Sequence, residues 1–302
     1  MADVISGTVR HTFDPRFDSL VPGIAQLYRL ASSCLWAEGP VYRADVDMLI
    51  WSDIPNNRML CHRDGHTFTF RSPSNYSNGN TKDHYGRLIS CEHGGRRVTR
   101  TEADGSITVL AGSYQGKRLN SPNDVVVKSD GSIWFTDPSY GILTDYEGYR
   151  AEPEQDGCFV FRLDVDGTLT VVADDFVKPN GLAFSPDERY LYVADSGRSH
   201  DDSAPHHLRW FEVKGNKLGK GDVLTEVSPG VPDGFRVDMQ GNLWVGAGDG
   251  VHCYDARGQL LGKILVPEIT ANVTFGSYRN TTLFMTATTS VYAMKLAIAG
   301  AR

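Results

Sequence analysis

One unit recurs six times along this chain: a turn, then a short apolar strand that runs into small or acidic residues. The copies are DMLIWSD, GRLISCE, GSIWFTD, RYLYVAD, GNLWVGA and TTLFMTA, with aligned aliphatic side chains at Leu49, Leu88, Ile133, Leu191, Leu243 and Leu283. The steps between them are 39, 45, 58, 52 and 40 residues. Spacing of this size, elastic rather than strict, fits propeller blades with loop insertions better than a solenoid. Six blades fill the 302 residues. The expected fold is therefore all-β: a six-bladed β-propeller spanning 1–302 as a single domain, although length alone would also allow two ordinary domains.

Later strands in each unit are joined by Gly-containing turns, as in RRVTRTEADGSITVLAG and CFVFRLDVDGTLTVVAD, where Asp-Gly is a strong hairpin signal. Four antiparallel strands per blade follow. The last unit ends after TTSVYAMKL with only three, and the early segment AQLYRLA (25–31) has no blade of its own. This segment is expected to supply the outermost strand of the last blade and close the ring, leaving 1–24 as an N-terminal extension.

A net charge of −7 argues against nucleic acid or an anionic membrane as the main partner, since both demand a basic face. Five scattered cysteines without a C-x-x-C pair indicate neither a disulfide framework nor a zinc knuckle. The N-terminus has no basic region followed by an apolar one, and no stretch is long enough for a membrane span. A cytoplasmic setting is expected, as a monomer or homodimer.

Counting back 10 or 11 residues from each aliphatic position reaches an oxygen-bearing side chain in every unit: Glu38, Asn78, Asn123, Asn180, Asp233 and Asn272. Taken singly, Asn-Gly, Asp-Gly and Pro-Asn are turn formers. A shared phase is different, because turns need no common register with the next strand. The innermost strands of a propeller converge on its axis, so residues at their starts meet at one mouth of the channel. Carboxylate and amide oxygens in a ring suit a hard divalent cation. Ca²⁺ is expected, with Mg²⁺, Mn²⁺ and Zn²⁺ as the other candidates.

The contexts EGPVY, PNDVVV, PNGLAF and PDGFRV, with RLISCEHGGRRVTR and LNSPNDVVVKSDGSIWFTDPSYGI, resemble the gluconolactonase branch of the senescence-marker-protein-30/gluconolactonase/luciferin-regenerating-enzyme family, from about Glu38 to Leu296. The resemblance implies a six-bladed propeller with one catalytic divalent metal that hydrolyses sugar lactones such as D-glucono-1,5-lactone. It places the metal ligands on Glu38, Asn180 and Asp233, the acid-base role on Asp233, and a substrate or further metal contact on Asn123. Some members carry an Arg two residues before the motif Asn. Here that position is Ser121, preceded by Asn120, so substrate recognition at these two residues differs from that subgroup.

Lactone hydrolysis builds negative charge on the carbonyl oxygen, which a nearby cation stabilises while a base takes the proton of water. Antiparallel geometry returns the second strand of each blade to the mouth where the first begins. Glu92, His93, Asp137, Tyr140, Asp195 and Arg198 are thus expected around the substrate, with the loops 138–157 and 196–207 as walls or lids. Asp137 is read as an outer metal contact, and Tyr140 and His93 as partners of sugar hydroxyls. No G-x-S-x-G context supports a serine-esterase route. Two other readings stand beside the lactonase: a promiscuous aryl-esterase or organophosphate hydrolase using the same site, and a non-catalytic binding or sensor propeller with a structural ion.

Overall fold

The computed structural model describes residues 2–301. Six antiparallel sheets are arranged as a six-bladed β-propeller, and the inner strands run in chain order: Ala37–Arg43, Ser77–Lys82, Val125–Val127, Pro179–Phe184, Phe235–Val237 and Thr270–Gly276. Each blade then meanders outward through a second, third and fourth strand. Second strands such as Met48–Asp53, Ile133–Asp137 and Leu243–Ala247 are buried almost throughout, and Trp51, Trp134 and Trp244 on them are fully enclosed. Outer strands such as Ile107–Ala111 are largely exposed. Burial on both faces explains why the repeat is most legible in the second strand, whose apolar run is continuous rather than alternating.

The core is divided among the seams between neighbouring blades. Ile89 and Cys91 of blade 2 pack on Val125 and Phe135 of blade 3, Trp134 of blade 3 on Leu182 and Leu191 of blade 4, and Tyr192 of blade 4 on Phe235 of blade 5. All five cysteines are free. Among the described residues no helix is long and apolar enough to cross a membrane.

The ring closes as the sequence predicts. Leu27–Ala31 pairs antiparallel with Val291–Lys295, Tyr28 opposite Ala293 and Leu27 opposite Met294, and becomes the fourth strand of blade 6. The segment before it does more than extend the chain. Asp3–Val4 adds a fifth strand outside Leu27–Ala31, and Arg10–Thr12 adds one to blade 5 along Leu260–Leu265. After Arg10–Thr12 the short helix Arg16–Leu20 inserts Phe17, fully buried, toward Trp244 with ring centroids 6.1 Å apart. Gly262 makes room for it, since a Cβ there would sit 2.3 Å from the Phe17 ring. Phe17→Ala is accordingly expected to cost about 3–5 kcal/mol in a denaturant titration. A loss below about 1 kcal/mol would mean that the N-terminal segment does not bolt the seam between blades 5 and 6.

Candidate active site at the channel mouth

The ring residues sit where the inner-strand ladders are interrupted. The pairing of inner with second strand shifts register between Glu38 and Val41, Ser77 and Asn80, Pro179 and Leu182, and Thr270 and Asn272. In blades 3 and 5 the regular strand begins only after Asn123 and Asp233. Such bulges free a side chain from the alternation of the sheet and re-aim it. The expectation of turns at these dipeptides is thereby corrected: Asn180-Gly181 lies inside the strand Pro179–Phe184.

Their glycines serve close approach between blades. A Cβ on Gly39 would lie 1.9 Å from the Asn78 carbonyl oxygen, on Gly79 2.4 Å from that of Asn123, on Gly181 2.4 Å from that of Asp233, and on Gly234 1.9 Å from Cγ of Asn272. Each of these glycines thus leaves space for the ring residue of the next blade. Asn272 completes the circuit by donating from Nδ2 to Glu38 Oε2 at 3.1 Å.

Glu38, Asn78, Asn123, Asn180 and Asp233 line one cavity of about 500 Å³. Asn272 does not line it, because its amide is spent on Glu38 and on the Val273 backbone. The loop 138–157 adds Tyr140, Leu143, Tyr146 and Glu147 to the wall, and the loop 196–207 adds Ser199 and His200. These two loops touch through the Tyr140 hydroxyl and Ser199 Oγ, 3.0 Å apart. Leu35, Trp36 and Ile54 form an apolar side next to Glu38.

Among the described residues, three that line the cavity are carboxylic acids, Glu38, Glu147 and Asp233, and none is Lys or Arg. Burial, then the neighbouring Asp233, raises the Glu38 carboxyl well above its usual range. Asp233 is pushed up to about 8 by burial and by the charge of Glu147, against the pull of a hydrogen bond from Asn180. Burial pushes Glu147 up to about 7. The guanidinium of Arg236, farther along the inner strand of blade 5, is committed to Asp124 of blade 3 at 3.1 and 3.3 Å. That pair crosses the channel.

His93 is enclosed, and its place in the site differs from the expected sugar contact. Nδ1 lies 3.1 Å from the Glu147 carbonyl oxygen, which only accepts, so Nδ1 carries the proton. Nε2 then accepts from Asn78 Nδ2 at 3.3 Å. This fixes the Asn78 amide and leaves its Oδ1 buried without a partner among the described residues. Desolvation lowers His93 to about 4, so the ring stays neutral near neutral pH.

The acids that end second strands are also placed differently from expectation. Asp137 Oδ2 accepts from the Asn120 backbone at 2.8 Å, and Asp195 accepts from the Val177 and Lys178 backbones at 3.0 and 2.9 Å. Asp53 does the same for Leu35 at 2.9 Å. They tie down the segment entering each inner strand and do not line the cavity. Asn120 turns its amide to the carbonyls of Asp137 and Gly157, and Ser121 bridges Pro138 and Gly141, so both hold the base of the loop instead of facing a substrate. Glu92 receives Thr99 and Arg97. Arg198 reaches the Asp202 carbonyl and His206, away from the cavity wall. Trp36, Glu147 and His200 went unnoticed in the sequence. Trp36 stands two residues before Glu38 and was open to discovery, whereas Glu147 is set only by the path of its loop.

A sequence model of the SMP-30/gluconolactonase/LRE-like region matches residues 36–289. The gluconolactonase of Zymomonas mobilis is 31% identical over 92% of this chain and 83% of its own length. A pentonolactonase of Haloferax volcanii is 32% identical over 84% of this chain and 82% of its own. Among solved structures, a gluconolactonase of Xanthomonas campestris superposes with a TM-score of 0.92 at 38% identity, covering 98% of this chain and 97% of that one.

Proposed function

Because this chain belongs to the SMP-30/gluconolactonase/LRE-like family and is a lactone-hydrolysing enzyme by its relatives, we propose that it opens a small sugar lactone such as D-glucono-1,5-lactone to the aldonic acid, using one divalent cation at the ring. The observation that carries this reading is the chemistry of the cavity wall: among the described residues it has three carboxylates, three amides, no Lys or Arg, and a buried Asn78 Oδ1 without a partner. Such an oxygen set fits a hard cation and fits a nucleophilic or cofactor-based mechanism poorly.

Glu38, Asn180 and Asp233 are the residues that would hold the ion, Ca²⁺ being the first candidate. When bound, a divalent cation supplies Lewis-acid stabilisation of the charge that grows on the lactone carbonyl oxygen. Asp233, partly open to the cavity and hydrogen-bonded by Asn180, is the base suited to take a proton from the attacking water and return it to the ring alkoxide. Asn123 faces the same space with no side-chain hydrogen bond of its own among the described residues, and so has an amide free for the substrate. The ring of Tyr140 and the apolar side at Trp36 limit how a sugar ring can lie.

Treatment with EDTA is expected to lower lactone turnover, corrected for spontaneous opening, on the order of a hundredfold or more, and restored Ca²⁺, Mg²⁺ or Mn²⁺ to recover it. Full activity after exhaustive chelation would sink the metal part of the proposal. Inactivity with every ion would sink the lactonase part.

A further inference from the structure

Glu147 is assigned neither the cation nor the substrate in the reaction as proposed and acts on it only through its charge on Asp233, yet it lines the wall of the cavity. It is near enough to Asp233 to be the principal charge acting on it. It takes no ion-pair partner among the described residues: Arg236 on the inner strand is engaged by Asp124, and Lys178, behind the wall with its ammonium 5.3 Å from the Tyr140 ring centroid, donates to Ser139 Oγ. A divalent cation balances two negative charges. Held by Glu38 and Asp233, it would be neutralised by those two carboxylates, and the third would remain uncompensated. Leu35, Trp36 and Ile54, elsewhere in the wall, carry no positive charge to attract an anion.

We infer that this site selects uncharged lactones and that Glu147 is the residue that rejects lactones bearing a second, anionic group. The inference rests on the lactonase reading and deepens it by naming the substrate class. Like-charge juxtaposition in a partly desolvated site is among the more costly mismatches in recognition. The residue sits on a loop wall instead of an inner strand, so it acts on which lactone enters while the ring acts on whichever lactone is bound. Its backbone, not its side chain, anchors the loop to His93, so removing the charge leaves that anchor in place.

The test compares kcat/KM for D-glucono-1,5-lactone with that for the same lactone carrying a phosphate on C6, at about pH 8, above the value of about 7 to which burial raises Glu147. The parent enzyme is expected to favour the neutral lactone by at least about tenfold, Glu147→Gln to close the gap by about tenfold, and Glu147→Asp to preserve it. Circular dichroism and thermal melts establish that each variant folds. Equal turnover of the two lactones by the parent overturns the inference and leaves the lactonase reading standing. A gap unchanged in Glu147→Gln overturns it as well. Turnover of neither lactone with any divalent ion counts against the lactonase reading, and this inference falls with it.

Discussion

Asp233→Asn is expected to lower kcat for the lactone on the order of 10²–10⁴-fold while the protein keeps its fold and its cation. The substitution preserves size and one oxygen for an ion. It removes the ability to take a proton. Burial and the charge of Glu147 push the Asp233 carboxyl up to about 8, so in the bare site it is a better base than an ordinary carboxylate. A bound cation pulls in the opposite direction, and the proton-acceptor role survives only if the first influence is not erased. Metal content measured alongside turnover separates the two contributions. A variant that retains its ion and turns over lactone at nearly the parental rate would leave Asp233 as a ligand only, with the base elsewhere. Loss of the ion together with activity would assign Asp233 to the cation.

How much of this was legible in the sequence depends on whether a residue's position is set by the blade or by a loop. Glu38, Asn78, Asn123, Asn180 and Asp233 share one cavity because the repeat fixes their phase, and the repeat is visible in the apolar second strands. The physical reason for the phase was not visible. It lies in the strand interruptions and in glycines such as Gly181 and Gly234, which need space rather than a left-handed backbone. At Asn272 the shared phase does not bring the side chain to the cavity, because its amide supports Glu38 from behind. Asp137 and Asp195 depart from the expected substrate contact for a related reason. Their position at the end of the second strand is indeed at the mouth, but buried backbone N–H groups there need acceptors, and the nearest carboxylates satisfy them. Glu147 shows the opposite failure, because nothing in its neighbourhood in the chain predicts that its loop will fold back over the ring. The N-terminal extension was undervalued because strands of two and three residues carry almost no periodic signal.

His93 gives the second large effect, on stability and on pH dependence. The folded state holds it near 4, whereas an exposed histidine titrates near 6.5. Between those values the unfolded chain takes up a proton that the folded protein refuses. The stability associated with neutral His93 is therefore fully present above about pH 6.5 and falls by about 1.4 kcal/mol per pH unit below it. By pH 4 the loss is on the order of 3 kcal/mol. Asp137 works against this over much of the same interval. Burial raises it to about 7, so the folded state keeps a proton that the unfolded one releases, and its contribution grows as the pH falls. Glu38, Glu147 and Asp233, raised by burial in the same way, add to the Asp137 contribution, so a single profile of the parent protein mixes all of these terms, but subtraction of a His93→Gln profile isolates that of His93. In EDTA-treated protein the parent is expected to exceed His93→Gln by about 1–3 kcal/mol near pH 7, from the bonds to Asn78 and the Glu147 carbonyl, and to lose about 3 kcal/mol of relative stability by pH 4. Chemical denaturation at closely spaced pH values measures it. A difference that does not change with pH would mean that His93 titrates as an exposed histidine does. In that case neither the proton on Nδ1 nor the orientation it imposes on Asn78 would stand, and the donor geometry of the ring would have to be drawn again from the Asn78 amide outward.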